Sequence, residues 1–109
     1  MPRVETDIVV VVTTTDSADA AHELARSAVA ARLAACAQVL GPMTSVYWWS
    51  GAVDEAREWR VEFKTTVTRA ADLQDHLRSA HSYDVPEIVC LPVVDGSEAY
   101  LSWVRDNAR

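Results

Sequence analysis

The hydrophobic and polar positions in the first third of the chain predict a strand followed by a helix. Ile8–Val12 is an unbroken run of β-branched residues, a pattern typical of a strand buried on both faces. Apolar residues then recur at helical spacing and predict an amphipathic helix over Ser17–Ala35, with Asp16 as its cap and Asp19 near the positive end of its dipole. The apolar stripe of this helix consists of Ala21, Leu24, Ala25, Ala28, Val29 and Leu33.

The middle of the chain predicts a long β-hairpin. A second strand begins as Cys36–Leu40, is interrupted at Gly41-Pro42 because proline cannot donate to a ladder, and resumes over Thr44–Trp49. Ser50-Gly51 is a signal for a tight turn. In Glu58–Thr65, charged residues alternate with uncharged residues that are mostly apolar, as expected for a strand with one buried face. The uncharged residues are Trp59, Val61, Phe63 and Thr65.

The last third of the chain predicts a helix, a strand and a short helix. Thr68 can cap a helix that stops near Ser82, and Ile88–Val94 is predicted to be a fourth strand. Asp95 is predicted to cap the C-terminal helix. The element order β-α-β-β-α-β plus a helix predicts an α+β, ferredoxin-like fold, with four antiparallel strands and the main helices on one face. We expect residues 1–109 to form a single domain.

Three of the four tryptophans lie in the predicted hairpin, where they pose a packing problem. Along a strand, Tyr47 and Trp49 point to one face and Trp48 to the other. A sheet with helices on one face leaves its other face bare, so one domain can bury only one of these sets. The other set would form an exposed apolar patch of the kind that marks an interface. We therefore expect a homo-oligomer whose interface contains Tyr47, Trp48, Trp49 and Trp59.

Composition narrows the possible partners and the compartment. The chain has 109 residues and a formal net charge of −6, which argues against binding to nucleic acid or to an anionic membrane. Cys36 and Cys90 show no C-x-x-C spacing, and free thiols in a reducing compartment are expected. The N-terminal residues show no signal-peptide pattern, and Ile8–Val12 is far shorter than the ~20 residues needed to cross a bilayer. We expect a cytoplasmic protein.

Five segments of the chain together resemble the CutA divalent-cation tolerance family. Each segment is weak alone, but in this order and at these separations they match the family from about Ile8 to Arg105. The resemblance implies a ferredoxin-like protomer assembled as a tight homotrimer, with a role in tolerance of copper and other divalent cations. The segments are ARLAAC (Ala31–Cys36), TSVYWWSG (Thr44–Gly51), FKTT (Phe63–Thr66), HSYDVPEIV (His81–Val89) and YLSWV (Tyr100–Val104).

The resemblance also implies a cleft between subunits. The candidate residues that line or approach it are Cys36, Trp49, Lys64, His81, Tyr83 and Glu87. Imidazole and thiolate groups are suitable ligands for copper, so His81 and Cys36 are candidate ligands for copper or another divalent cation. We do not expect the protein to require a metal ion as an obligatory cofactor. No chelating spacing joins them. Some family members carry a cysteine near the end of the first strand, where this chain has Thr13.

Two alternative functions remain open at this level. The family trimer looks like the PII-type signalling proteins, so the chain could instead bind a small anionic metabolite at the cleft through Lys64. A lysine, a tyrosine and a glutamate in one cleft could also transfer protons. However, the chain has no nucleophile elbow, phosphate loop or catalytic dyad at diagnostic spacing, so we do not expect an enzyme.

Overall fold

Within residues 6–109, four strands and three helices follow one another in the predicted order. The computed structural model describes residues 6–109, so the prediction that the N-terminus is not a signal peptide lies largely outside the described residues. The strands form one antiparallel sheet of order β2-β3-β1-β4, which confirms the ferredoxin-like α+β prediction. The elements are β1 (Ile8–Thr15), α1 (Ala18–Ala30), β2 (Cys36–Trp49), β3 (Ala52–Thr66), α2 (Val67–Ala80), β4 (Ile88–Pro92) and α3 (Glu98–Asn107).

The two faces of the sheet carry separate apolar cores. Val11 and Phe63 are paired across β1 and β3, and both are fully buried against residues of α1 and α2. Ile8 points to the opposite face and packs with Leu101 and Val104 of α3. The face opposite α1 and α2, which we call the open face, was expected to be bare, but α3 covers one end of it. Its exposed apolar side chains include Leu40, Val89 and Leu91.

Helix α1 is shorter than the predicted span of Ser17–Ala35, because the chain turns sharply after Ala30. Arg32 has a positive φ of 63°. The backbone N–H of Leu33 donates to the carbonyl of Ala28 at 3.0 Å, and Leu33 is buried in the core. This is the Schellman ending, which satisfies the last carbonyls of a helix and folds the next apolar residue back onto it. The predicted stripe was correct, but Leu33 joins the core from the loop.

The helix caps lie one or two residues from their predicted positions. Ser17, Thr66 and Ser97 are the N-caps, and each side chain accepts a hydrogen bond from the backbone N–H three residues on. The predicted caps Asp16 and Thr68 were therefore wrong, as was Asp95. Serine, threonine and aspartate have similar capping preferences, so the choice between neighbours depends on where the strand before each helix ends.

An irregularity in β2 changes which residues of the hairpin face the same way. Leu40 pairs with Arg60 and Met43 pairs with Glu58, so three steps on β2 correspond to two on β3. This shifts the side-chain alternation by one residue. Over residues 36–40, before the irregularity, the even-numbered residues of β2 point to the open face. Over residues 43–49, after it, the odd-numbered residues do. Tyr47 and Trp49 therefore point to the open face, and Trp48 points to the other face.

The hairpin projects beyond the rest of the sheet. The last β1–β3 pair is Thr15 with Trp59, whereas β2 and β3 remain paired out to Trp49 and Ala52. Both strands are thus more continuous than the sequence predicted, while β4 ends earlier, at Pro92. A single chain buries neither of the two tryptophans at the tip: Trp48 is 73% and Trp49 67% exposed, because this part of the hairpin projects beyond the rest of the sheet.

Gly41→Ala should destabilise the fold by about 2–3 kcal/mol, because it adds backbone strain and a steric clash. Gly41 has a φ of 152°, and a Cβ there would lie 2.6 Å from Cδ1 of Trp59. Gly51→Ala is the matched control: its φ is 81° but no atom lies within 4 Å of the added Cβ, so it should cost only about 1 kcal/mol. Urea unfolding of both variants measures the difference, and equal losses would contradict a role for the Trp59 contact.

Candidate functional site

A cleft of about 1010 Å³ opens on the open face, between the projecting hairpin and the loop that joins α2 to β4. The end of β1 contributes Thr14 to its floor. We call this the aromatic cleft, because aromatic rings line both its hairpin side and its loop side. Its aromatic side chains are Tyr47, Trp49 and Tyr83.

Hydrogen bonds to β1 hold the α2–β4 loop in place beside the cleft. The hydroxyl of Thr13, which is fully buried, donates to the carbonyl of Glu87 at 2.7 Å. The backbone N–H of Tyr83 donates to Nδ1 of His81 at 3.0 Å, so the ring proton lies on Nε2, which donates to the carbonyl of Thr14 at 2.7 Å. Both nitrogens of His81 therefore serve to fix the loop. Thr13 likewise has a structural role, at the position where some family members were expected to carry a cysteine.

Tyr83 connects the loop to the hairpin across the cleft. Its hydroxyl donates to Oε2 of Glu58 at 2.9 Å, and its ring packs against that of His81, with centroids 4.8 Å apart. Burial, the hydrogen bond to Glu58 and the negative charges of Glu58 and Asp16 raise the pKa of Tyr83 above its ordinary value. The electrostatic potential at this hydroxyl is therefore negative, because the carboxylates of Glu58 and Asp16 lie near it.

The cleft is acidic as well as aromatic. Its charged lining residues are Asp16, Glu58, Asp84 and Glu87, and among the described residues that line it there is no lysine, arginine or histidine. An anionic ligand would meet like charge here. This does not favour the alternative of an anionic metabolite bound in the cleft.

Cys36 and Lys64, two of the predicted cleft residues, lie at the opposite end of the open face. They are paired with each other across β2 and β3, and Lys64 is six residues, roughly 20 Å, along β3 from Glu58. The Cys36 thiol lies 3.4 Å from the hydroxyl of Tyr100, and Lys64 donates to Gln38 at 2.8 Å. Within one chain, Cys36 and Lys64 are therefore separated from the α2–β4 loop, and their place in a cleft between subunits stays a prediction.

The predicted metal ligands do not form a chelating site within one chain. His81 uses both of its nitrogens in hydrogen bonds to the fold, and Cys36 lies at the far end of the sheet from it. Across residues 6–109, no group of three or more His, Cys, Asp or Glu side chains is placed to hold a metal ion. Within one chain, His81 and Cys36 therefore do not form a tight copper centre, and their role as copper ligands stays a prediction.

Of the predicted site residues, the structure brings Trp49, Tyr83 and Glu87 together in the cleft, with His81 just behind its wall. Trp59 packs in part against the core of its own chain. Sequence reasoning missed Asp16, Glu58 and Asp84 as lining residues. The usable signal was the extra residue at Gly41-Pro42, because counting it places Tyr47 and Trp49 on the same face as Glu58.

Known proteins share both the sequence and the fold of this chain. A family model described as CutA1 divalent ion tolerance protein matches residues 9–107. The divalent-cation tolerance protein CutA of Thermus thermophilus is 40% identical over 98 residues, which cover 90% of this chain and 95% of that protein. The crystal structure of CutA1 from Oryza sativa has a TM-score of 0.92 at 34% identity and covers 97% of both chains.

The match over nearly the whole chain, on a ferredoxin-like protomer with a long projecting hairpin, defines a protein of the divalent-cation tolerance class. The chain belongs to the CutA1 divalent ion tolerance protein family.

One relative bears on the compartment. A CutA of Archaeoglobus fulgidus, described as a periplasmic divalent cation tolerance protein, has a TM-score of 0.90 at 27% identity and covers 94% of this chain and 99% of its own. Among residues 6–109 of the present protein, no helix combines the length and the apolar character needed to cross a membrane. A cytoplasmic location stays a prediction.

The raised pKa of Tyr83 predicts that stability falls at high pH. Below about pH 10 the hydroxyl is protonated in both states, whereas above it the unfolded chain loses the proton that the folded chain retains. The free energy of unfolding should therefore decline as pH rises from about 10, and Tyr83→Phe should make that decline shallower. Denaturant unfolding at several pH values measures the slope.

Tyr100 provides the control for this experiment. Burial and its hydrogen bond with Cys36 raise the pKa of Tyr100 to about 12, so part of the decline should persist in Tyr83→Phe. Tyr100→Phe should remove that remaining part and leave the contribution of Tyr83. A slope unchanged in Tyr83→Phe would mean that Tyr83 does not couple folding to pH.

Proposed function

We propose that this protein acts in tolerance of divalent cations as a cytoplasmic homotrimer, through binding rather than catalysis. Membership of the CutA1 family supports the cation-tolerance role. The exposed aromatic tip of the hairpin is the observation that carries the assembly. The net charge of −6 suits cations rather than nucleic acid as partners.

The projecting hairpin supports assembly because it exposes apolar surface that one chain cannot cover. Trp48 and Trp49 are 73% and 67% exposed, on opposite faces of the hairpin. Leu40, Val89 and Leu91 add apolar area on the open face between α3 and the cleft. Exposed apolar side chains of this number and size support an interface with another chain. The threefold stoichiometry comes from the family resemblance.

Copper, in this proposal, binds weakly and at single imidazoles rather than at a chelating site. His81 would have to release a hydrogen bond to the carbonyl of Thr14 or to the backbone N–H of Tyr83 before it could bind an ion. His22 is exposed on α1 and meets no such requirement. One neutral imidazole is a typical copper ligand, but one ligand gives little affinity or selectivity.

Sedimentation equilibrium tests the assembly. The wild-type protein should have a mass three times 12.0 kDa at micromolar concentration, and Trp48→Glu should shift it towards the 12.0 kDa monomer, because it buries an unpaired charge. Val67→Glu is the control, since Val67 is an exposed apolar residue (58%) at the start of α2, away from the hairpin, and it should leave the mass unchanged. A stable wild-type monomer would overturn the homotrimer.

Copper titration tests the metal proposal. His22→Ala should weaken the wild-type copper affinity by at least about threefold, since it removes a free imidazole. His81→Ala should change that affinity by less than about twofold, but should destabilise the fold by about 1–2 kcal/mol through two lost hydrogen bonds. Calorimetry and urea unfolding measure the two effects. Micromolar copper binding that disappears only in His81→Ala would instead support a dedicated site at His81.

A further inference from the structure

An ion pair lies in the middle of the open face, on the interior strand β3. Nε of Arg60 donates to Oε2 of Glu62 at 2.9 Å, and residues two apart on a strand point to the same face of the sheet. Because the strand order is β2-β3-β1-β4, β3 has a neighbour on each side. Arg60 is paired with Leu40 of β2, and Glu62 with Val12 of β1. The ion pair is therefore not at an edge of the sheet.

Exposed apolar side chains lie on both sides of this ion pair. Leu40 is directly opposite Arg60 on β2, and Val89 of β4 lies beyond Val12, which separates it from Glu62. Leu40 is 46% and Val89 42% exposed, whereas the side chains of Arg60 and Glu62 are only 34% and 28% exposed in a single chain. A surface that covers both apolar side chains must therefore also cover the ion pair.

Covering the pair would withdraw from water several polar groups that one chain does not satisfy. Within residues 6–109, the side chain of Arg60 makes one hydrogen bond, from Nε to Glu62. In this part of the chain its four other N–H groups, and the second carboxylate oxygen of Glu62, are left to water. Their burial costs free energy unless the covering surface brings acceptors to Arg60 and donors to Glu62. A purely apolar contact cannot do so.

A second copy of this chain can supply such groups at fixed positions. In a closed ring of identical subunits, every copy presents the same charged and apolar side chains at the same spacing. A shift of one residue along a strand, or a ring with a different number of subunits, would place other groups opposite Arg60 and Glu62. A buried polar residue in an otherwise apolar interface fixes register and subunit number in this way, at a cost in stability.

We propose that Arg60 and Glu62 determine which arrangement of copies forms. This inference rests on the homotrimer proposed above and names two residues that select its geometry. The exposed apolar side chains of the hairpin and the open face supply the attraction between copies. The ion pair disfavours every arrangement that leaves its remaining donors and acceptors buried without partners.

Native mass spectrometry of two double variants tests the proposal. Arg60→Leu/Glu62→Leu keeps the attraction and removes the selection, so it should give two or more stoichiometries where the wild type gives one. Arg60→Glu/Glu62→Arg keeps the composition and the net charge but exchanges donors for acceptors. It should raise the protein concentration at which half of the assembly dissociates by at least about tenfold.

Arg78 and Asp75 form the matched control pair. Nη1 of Arg78 donates to Oδ1 of Asp75 at 2.8 Å on α2, where their side chains are 60% and 74% exposed. Arg78→Leu/Asp75→Leu makes the same change of charge on the helical side of the sheet. This variant should keep the single stoichiometry of the wild type, with a dissociation concentration within about twofold.

Three results would overturn the proposal. A leucine double variant with the single stoichiometry of the wild type would show that apolar contacts alone fix the arrangement. A monomeric leucine variant would show that the ion pair supplies the affinity. A charge-exchanged variant that assembles as the wild type does would show that the positions of the two charges are irrelevant.

The same spectra separate this proposal from the homotrimer itself. A wild-type protein that is monomeric at micromolar concentration would remove both. A wild-type trimer whose two Arg60 and Glu62 variants are also trimers of unchanged stability would remove only the role of the ion pair.

Discussion

One additional residue in β2, opposite Trp59, determines which side chains of the projecting hairpin line the cleft. Between Leu40 and Met43 the second strand is one residue longer than its partner. That extra residue moves Tyr47 and Trp49 onto the face that carries Glu58, and moves Trp48 away from it. Gly41 permits this because its backbone adopts a φ of 152° and it has no side chain to meet the indole of Trp59. With strict pairing, the cleft would be lined by a different set of side chains.

The second determinant is the connection between β1 and the α2–β4 loop. Thr13 is buried and its hydroxyl holds the carbonyl of Glu87, while His81 links Thr14 to Tyr83. These contacts satisfy backbone groups that an irregular loop would otherwise leave to solvent. Together with the hydrogen bond from Tyr83 to Glu58, they connect the loop to both β1 and the hairpin, the two sides of the cleft. His81, which resembled a metal ligand in the sequence, thus supports the loop wall of the site.

Hydrophobic periodicity was sufficient to predict the order of the elements and the faces of β1 and β3, because apolar spacing follows directly from helix and strand geometry. It was not sufficient for the end of α1, since nothing in the local pattern favours Arg32 as the residue with positive φ. It also missed the placement of α3 on the open face. The separation of Lys64 from Glu87 follows from antiparallel topology: Lys64 pairs with Val10, early in β1, whereas Ile88 pairs with Thr13, near its end. The family resemblance implied one cleft between subunits, and within one chain the direction of the strands places its candidate residues at two ends of the sheet.

The projecting hairpin has a consequence for spectroscopy. Trp48 and Trp49 are in contact with solvent in a single chain, and Trp59 is only partly buried, whereas the main core consists of aliphatic side chains and Phe63. Intrinsic tryptophan emission from this protein is therefore dominated by the hairpin and by Trp103 on α3. A blue shift on raising the protein concentration would report coverage of these indoles by another chain. Conversely, unfolding of the core should change the tryptophan emission little. The far-ultraviolet circular dichroism of the helices and the sheet would detect that unfolding.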